Sequence, residues 1–216
     1  MSEEKQETAN EKVTERKETG RIEAFSDGVF SIVATLLVLE IAVHPPGTAL
    51  EQLRHEWPAY LGYAISFLTI GAAWIGHNAI TDRLTRADSL FLRINLLLLF
   101  VVAFIPFPTK LIAEALHETD NERVFVTLYG ITLLTIRLLL FALDAYARRE
   151  HLYTQDQADE DLKTERREFW PVLAAYVTAI VIGLALPTVA VVLYLALAVF
   201  LVVPFRDVRR LLFNRS

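Results

Sequence analysis

Six apolar runs, each long enough to cross a lipid bilayer as a helix, constrain this sequence more than any other feature. About 20 apolar residues are needed to cross roughly 30 Å of hydrocarbon. The runs cover residues 24–43, 57–76, 90–112, 124–146, 170–185 and 188–205. Because they occupy most of a 216-residue chain, we predict an all-α membrane protein with six transmembrane helices per subunit.

The composition supports this prediction and excludes several functions. Apolar residues make up 54% of the chain and charged residues 22%, with a mean hydropathy of +0.37. The absence of Cys rules out disulfides, thiol catalysis and thiolate metal sites. A net charge of −5 argues against a nucleic-acid partner. We therefore expect the partners to be the lipid bilayer and other copies of the chain.

The distribution of Lys and Arg predicts the orientation of the chain. Seventeen of the 21 lie in the N-terminal segment up to Arg21, around the connection after the second run with Arg93 included, in the connection after the fourth run, and in the C-terminal segment. Basic residues are enriched on the cytoplasmic side, so we predict a multi-pass protein of the cell inner (plasma) membrane with both termini in the cytoplasm. The expected divisions are a disordered tail at 1–20, a transmembrane domain at 21–206 and a short basic C-terminus at 207–216. The charged residues 1–20 lack the apolar core of a signal peptide.

Costly polar residues at the cytoplasmic ends of the first two runs are candidates for function. Because consecutive spans run antiparallel, Ser26 and Asp27 are expected to lie at the same depth as His77 and Asn78, and we predict that these four side chains pair with one another. A hydrogen-bonded network that locks the first helix is one interpretation. A helix start with a carboxylate favoured by the dipole is the other.

Arg137, near the middle of the fourth run, is the other costly residue. Its candidate partners are Asp144 on the same helix, Asp27, or a group from a neighbouring subunit. A structural ion pair is a better interpretation than a voltage sensor, which needs several Arg at regular spacing.

The segment from Arg21 to Asp27, Arg-x-x-x-Phe-Ser-Asp, resembles the prokaryotic branch of the lysosomal potassium channel family, transmembrane protein 175. Phe25, Trp74 and His77 support the resemblance, as does the Pro-Phe-Pro step at 106–108 that ends the Leu-rich third run. The resemblance implies six-span subunits that assemble as homotetramers. It also implies a pore lined by the first helix of each subunit, which conducts potassium over sodium without a re-entrant loop.

A stripe on the first run fits the pore that this resemblance implies. Ile32, Leu36 and Leu39 share one helical face, and Ser31 and Thr35 lie on the adjacent stripe. The spacing alone favours ordinary packing against lipid or other helices. The resemblance instead assigns Ile32, Leu36 and Leu39 to constriction layers and Thr35 to a hydroxyl layer. The Thr-Val-Gly-Tyr-Gly filter of ordinary potassium channels is absent from the sequence.

Two functional hypotheses from different classes follow. The first is a potassium-selective channel, with proton permeation as a secondary activity, no enzymatic activity and no cofactor beyond the permeant potassium ions. The alternative is a proton-coupled secondary transporter that uses Asp27, His77 and Arg137, although the two matching halves typical of transporters are not visible. No catalytic or metal-binding motif supports an intramembrane enzyme.

Overall fold

The computed structural model describes residues 2–41, 48–116, 121–153 and 161–203, with side chains described from residue 19 in the first range and from residue 169 in the last. The described backbone is helical apart from short connections and one isolated β-bridge. The elements are α1 (Ser2–Leu36), the 3-10 helix η1 (Leu37–Glu40), α2 (Ala49–His55), α3 (Trp57–Thr81), α4 (Ser89–Phe104), α5 (Pro106–Ala115), α6 (Glu122–Arg149), α7 (Asp161–Gly183) and α8 (Pro187–Val202).

Four apolar segments among the described residues are long enough to span a membrane. They are Thr19–Glu40, Trp57–Thr81, Ser89–Ala115 and Glu122–Arg149. They coincide with the first four predicted runs, and the last two runs correspond to the shorter apolar helices Phe169–Gly183 and Pro187–Val202. The protein is thus an all-helical, multi-pass membrane protein.

Proline residues set several of the helix boundaries. The predicted break at the Pro-Phe-Pro step is confirmed, because α4 ends at Phe104 and α5 begins at Pro106. Pro187 likewise opens α8, and only three residues separate it from the end of α7 at Gly183, so that the two helices form a tight hairpin. Proline lacks an N–H that the first helical turn does not need, and its fixed φ suits that position.

The N-terminal segment is helical in the described backbone. Residues 2–20, predicted to be a disordered tail, are the first part of α1. Their Glu, Lys and Ala residues are strong helix formers, and neither Gly nor Pro interrupts them before Gly20. The predicted basic C-terminus at 207–216 lies outside the described residues.

Two hydrophobic clusters form the core, and α3 and α6 contribute to both. The first joins them to α1 and α4 around Leu37, Leu98 and Leu143. The second joins them to α5, α7 and α8 around Tyr129 and Tyr194. Since α1 packs on α3 and α4 at one side of the bundle, one of its faces is left uncovered.

Candidate functional site along the first helix

The apolar part of α1 has one buried face and one exposed face. Ile32, Leu36 and Leu39 are 58%, 44% and 72% exposed. The buried face consists of Phe30, Val33 and Leu37. The predicted stripe is therefore not part of the subunit core, which leaves it free to contact lipid, another copy of the chain or an aqueous path.

The hydroxyl stripe beside it is also exposed, and its donors are used within the helix. Thr35 Oγ1 donates to the Ile32 carbonyl at 2.8 Å, and Ser31 Oγ donates to the Gly28 carbonyl at 3.0 Å. Each hydroxyl oxygen keeps lone pairs that can accept from water or face a cation. The exposed surface of α1 thus combines branched apolar side chains with acceptor oxygens.

A buried hydrogen-bond network anchors α1 near the other end of this stripe. The Asn95 side chain of α4 donates from Nδ2 to Ser26 Oγ at 3.1 Å, and its Oδ1 lies 2.8 Å from His77 Nε2. All three residues are buried, and the His77 ring lies 5.5 Å from that of Phe30. One amide therefore ties α1, α3 and α4 together, because it supplies both a donor and an acceptor.

Asp27 lies beside this network and is held separately. Trp74 Nε1 donates to Asp27 Oδ1 at 2.8 Å. Asp27 and Trp74 border a cavity of about 330 Å³ between α1 and α3, which Ser31, Phe67 and Gly71 also line. The hydrogen bond from the indole N–H orients the carboxylate of Asp27, which is half-buried.

The hydrogen-bond partners of the motif residues differ from the predicted ones. Ser26, Asp27, His77 and Asn78 do not pair with one another as predicted, since Asn95 and Trp74 supply the partners. Asn78 Nδ2 lies 3.5 Å from Oδ2 of Asp82, the residue directly after α3. Its position one residue after His77 turns it about 100° around α3 and away from the network. Arg21 and Phe25 are exposed, so the motif divides between a buried Ser26 and an outward surface.

Arg137 lies in another part of the bundle. It is half-buried in α6 and within electrostatic range of the Tyr176 hydroxyl of α7. One of its three candidate partners, Asp144, is bound by Arg148 Nε and by the Tyr153 hydroxyl, each at 2.7 Å. Burial and the bond to Asp144 raise the pKa of Tyr153 above its ordinary value, so its hydroxyl remains a donor.

The connection between α3 and α4 is joined to the end of α6 and the segment after it, at the end of the bundle that carries Asp144 and Tyr153. Asp88 caps α4 by accepting from the Phe91 N–H at 2.8 Å, and it also accepts from the Tyr146 hydroxyl at 2.5 Å. These two bonds hold the pKa of Asp88 below its ordinary value. Leu84 and Tyr153 form the isolated β-bridge between the same connections. This end of α4 is thereby fixed to the end of α6.

Sequence reasoning missed Asn95 and a second buried polar group. Ser66, Thr109 and Tyr129 form that group in the second core cluster, with oxygen distances of 2.6 and 2.8 Å from Ser66. A signal for Asn95 was present, because it is an amide within the apolar run 90–112, and polar residues inside spans bond across helices. Only the fold shows that its partners lie on α1 and α3.

Comparison with known proteins identifies the group to which this chain is related. Residues 21–106 match the model of the family described as "Endosomal/lysosomal potassium channel TMEM175". Potassium channel Cha6605_3372 of Chamaesiphon minutus is 40% identical over 166 residues, which cover 73% of this chain and 81% of that relative. The chain belongs to the TMEM175 family. The resemblance read from the Arg21 to Asp27 motif is thus confirmed at the level of the family.

The fold agrees with a solved member of the TMEM175 family. The crystal structure of a lysosomal potassium-selective channel TMEM175 homologue from Chamaesiphon minutus matches with a TM-score of 0.73 and 35% identity. The match covers 86% of this chain and 96% of that one. The helical arrangement described above is thus that of a TMEM175 channel.

Further relatives match over smaller shares of their length. Potassium channel B446_29190 of Streptomyces collinus is 41% identical over 58% of this chain and 63% of that relative. The Endosomal/lysosomal proton channel TMEM175 of Gallus gallus is 39% identical over 47% of this chain, which spans 23% of that protein. All of these relatives are named ion channels and none is named an enzyme, in agreement with the sequence prediction.

Proposed function

We propose that the protein is a potassium-selective cation channel. Four copies surround an axis and the apolar part of α1 from each copy lines the path. A single subunit contributes one exposed stripe of this kind, so a closed path needs several copies related by rotation. The names of the relatives as potassium channels support this activity. With the predicted six spans per subunit, both termini would lie on the same side of the membrane.

One observation carries the proposal. Ile32 and Leu36 of α1 and Leu39 of η1 are exposed, whereas Phe30, Val33 and Leu37 on the other side are buried. Repeated around an axis, the exposed side chains form successive apolar rings. Such rings control permeation through their width and their wetting.

Selectivity is assigned to side chains on helices, because the sequence has no carbonyl filter of the ordinary kind. Thr35 contributes the hydroxyl layer, since its donor is bound to the helix backbone and its oxygen lone pairs remain available. The bonds of Asn95 to Ser26 and His77 support this role by fixing α1 against α3 and α4. A ring of narrow radius requires such a rigid support.

The membrane placement follows from the charge distribution. We place the network of Ser26 and Asp27 toward the cytoplasm and Leu39 toward the outside of the inner (plasma) membrane, because Lys and Arg are concentrated on the side of the tail. Proton permeation is a secondary activity of the same path, which the name of the Gallus gallus relative supports.

The transporter alternative has less support from the geometry. It needs Asp27, His77 and Arg137 to act on one coupled substrate. Asp27 and His77 are near each other but hold structural partners on α3 and α4, and Arg137 has Tyr176 of α7 as a neighbour.

Potassium flux from proteoliposomes tests the proposal. Wild-type protein should release potassium down its gradient, and Ile32→Asn or Leu36→Asn should change the ratio of potassium to sodium flux. Val192→Asn is the matched control, because it introduces the same polar group on an exposed position of α8. Absence of flux at every pH and potential would refute the channel. Equal ratios in the Ile32, Leu36 and Val192 variants would refute the lining role of α1.

A further inference from the structure

The exposed stripe of α1 ends at a carboxylate. Glu40 is the last residue of η1, directly after Leu39 and four residues beyond Leu36. These three residues line one side of a cavity of about 490 Å³, to which α4 and α5 contribute Phe104, Phe107 and Lys110. Glu40 therefore lies directly beside the exposed apolar side chains of the stripe.

The position of Glu40 is not explained by helix stability. The carbonyl end of a helix carries partial negative charge, so an acidic residue there is unfavourable. Glu40 is half-buried. It directly follows residues 29–39, which are apolar apart from Ser31 and Thr35. A carboxylate at the end of an apolar path is instead suited to attract cations to it.

Lys110 adds a second charge to the same space. It lies in the first half of α5, is exposed, and lines the cavity together with Glu40. Its ammonium opposes the field of the carboxylate on the cavity side. The two residues provide charges of opposite sign next to Leu39, so their individual effects on permeating cations should have opposite directions.

We propose that Glu40 is the residue that concentrates cations at this end of the path, as a ring of four carboxylates whose field Lys110 partly cancels. This inference rests on the channel proposed above and adds a determinant of ion supply to it. The ligand is any small inorganic cation, because the attraction is that of a ring of negative charge. The effect should be strong at low ionic strength and weak at high ionic strength, since salt screens it.

The absence of Cys from the chain permits a direct test by charge replacement. Single-channel potassium conductance is measured in planar bilayers for wild type, Glu40→Cys and Lys110→Gln. The thiol of Glu40→Cys is then modified with sulfonatoethyl methanethiosulfonate or trimethylammonioethyl methanethiosulfonate. Each reagent forms a disulfide and releases methanesulfinate, and they leave a negative and a positive group respectively.

The expected results have defined signs. At about 10 mM KCl, where the Debye length is about 30 Å, Glu40→Cys should lower conductance by about twofold or more. The sulfonate should restore conductance, the trimethylammonium group should lower it further, and Lys110→Gln should raise it. At about 1 M KCl, where the Debye length is about 3 Å, these differences should nearly vanish.

A matched control and a separate failure criterion complete the test. Glu114→Cys places the same thiol on an exposed position of α5 outside the cavity, and its conductance should not depend on the charge of the reagent. If Glu40→Cys is modified completely by mass but conducts equally with either reagent, the Glu40 proposal is overturned and the channel stands. If wild type carries no current, the proposed function itself fails.

Discussion

Asn95 makes two side-chain hydrogen bonds that join α1, α3 and α4. It is buried, and its amide contacts groups 18 and 69 residues away in the chain. Neither Ser nor Thr could replace it, since a single hydroxyl lacks the separate donor and acceptor atoms of the amide. Its amide bonds to the Ser26 hydroxyl of α1 and the His77 ring of α3, so that both polar groups are paired in the interior.

We expect Asn95→Leu to destabilise the folded protein, although it keeps much of the side-chain volume. It leaves Ser26 and His77 without this partner, and a stranded buried polar group costs about 1–3 kcal/mol. Size-exclusion chromatography of heated samples in detergent gives the melting temperature that measures this effect. Asn78→Leu is the control, because the hydrogen bond of the Asn78 side chain to Asp82 is a long one of 3.5 Å. Equal melting temperatures for the two variants would contradict the role of Asn95.

At the residue scale, the sequence could identify the motif but not its pairing. Residue types marked Ser26, Asp27 and His77 as costly in a membrane, which follows from solvation alone. Which group meets which depends on how three helices rotate about their axes. A rotation of one residue, about 100°, separates His77 in the network from Asn78 outside it.

At the scale of elements, Gly130 of α6 lies directly against the α7–α8 hairpin. A Cβ atom there would lie 2.7 Å from Ile180 of α7 and still closer to the Tyr194 hydroxyl of α8. Glycine is thus required by the close approach of the α7–α8 hairpin, and a side chain would push the hairpin away from α6.

We expect Gly130→Ala to lower stability by about 1–3 kcal/mol, the usual cost of overpacking. Gly76→Ala in α3 is the matched control, because its Cβ would meet only Leu140 at 3.7 Å, and alanine favours a helix by about 1 kcal/mol over glycine. Melting temperatures in detergent should therefore move in opposite directions. A Gly130→Ala protein as stable as wild type would show that the hairpin packs less closely than described.

The sequence predicted some elements better than others for physical reasons. The break before Pro106 and the start of α8 at Pro187 depend on local chemistry, so they could be read directly. The helix α2 was missed, although its capping box of Thr48 and Glu51 is also local, because its seven residues lie in a polar connection. Residues 2–20 were predicted to be a disordered tail from their charge, whereas their helix propensity agrees with their place in α1.

For the whole molecule, the proposed path depends on the exposed stripe of α1 facing an axis between copies. A stripe that faces an axis brings equivalent residues of different copies together, whereas a stripe that faces lipid keeps them apart. Composition and spacing are the same in both cases. A crosslinking measurement between copies distinguishes the two arrangements.

We expect Leu39→Cys to crosslink between subunits with a short bis-maleimide in mild detergent, because Leu39 would line the axis. Denaturing gels should show dimers for this variant, and amine crosslinking should give a ladder that ends at four copies. Leu184→Cys, exposed in the α7–α8 connection, is the control and should remain monomeric with the bis-maleimide. A reactive Leu39→Cys that yields monomer alone under both reagents would contradict the tetramer.

The network around Asn95 also has a consequence for how the chain is made. Synthesis proceeds from the N-terminus, so Ser26 and His77 leave the ribosome before the amide that bonds both of them. Until α4 follows, α1 and α3 carry polar groups that hydrocarbon solvates poorly. The first two apolar helices therefore cannot reach their final arrangement as a pair, and arrival of α4 is the step in biosynthesis that completes this half of the bundle.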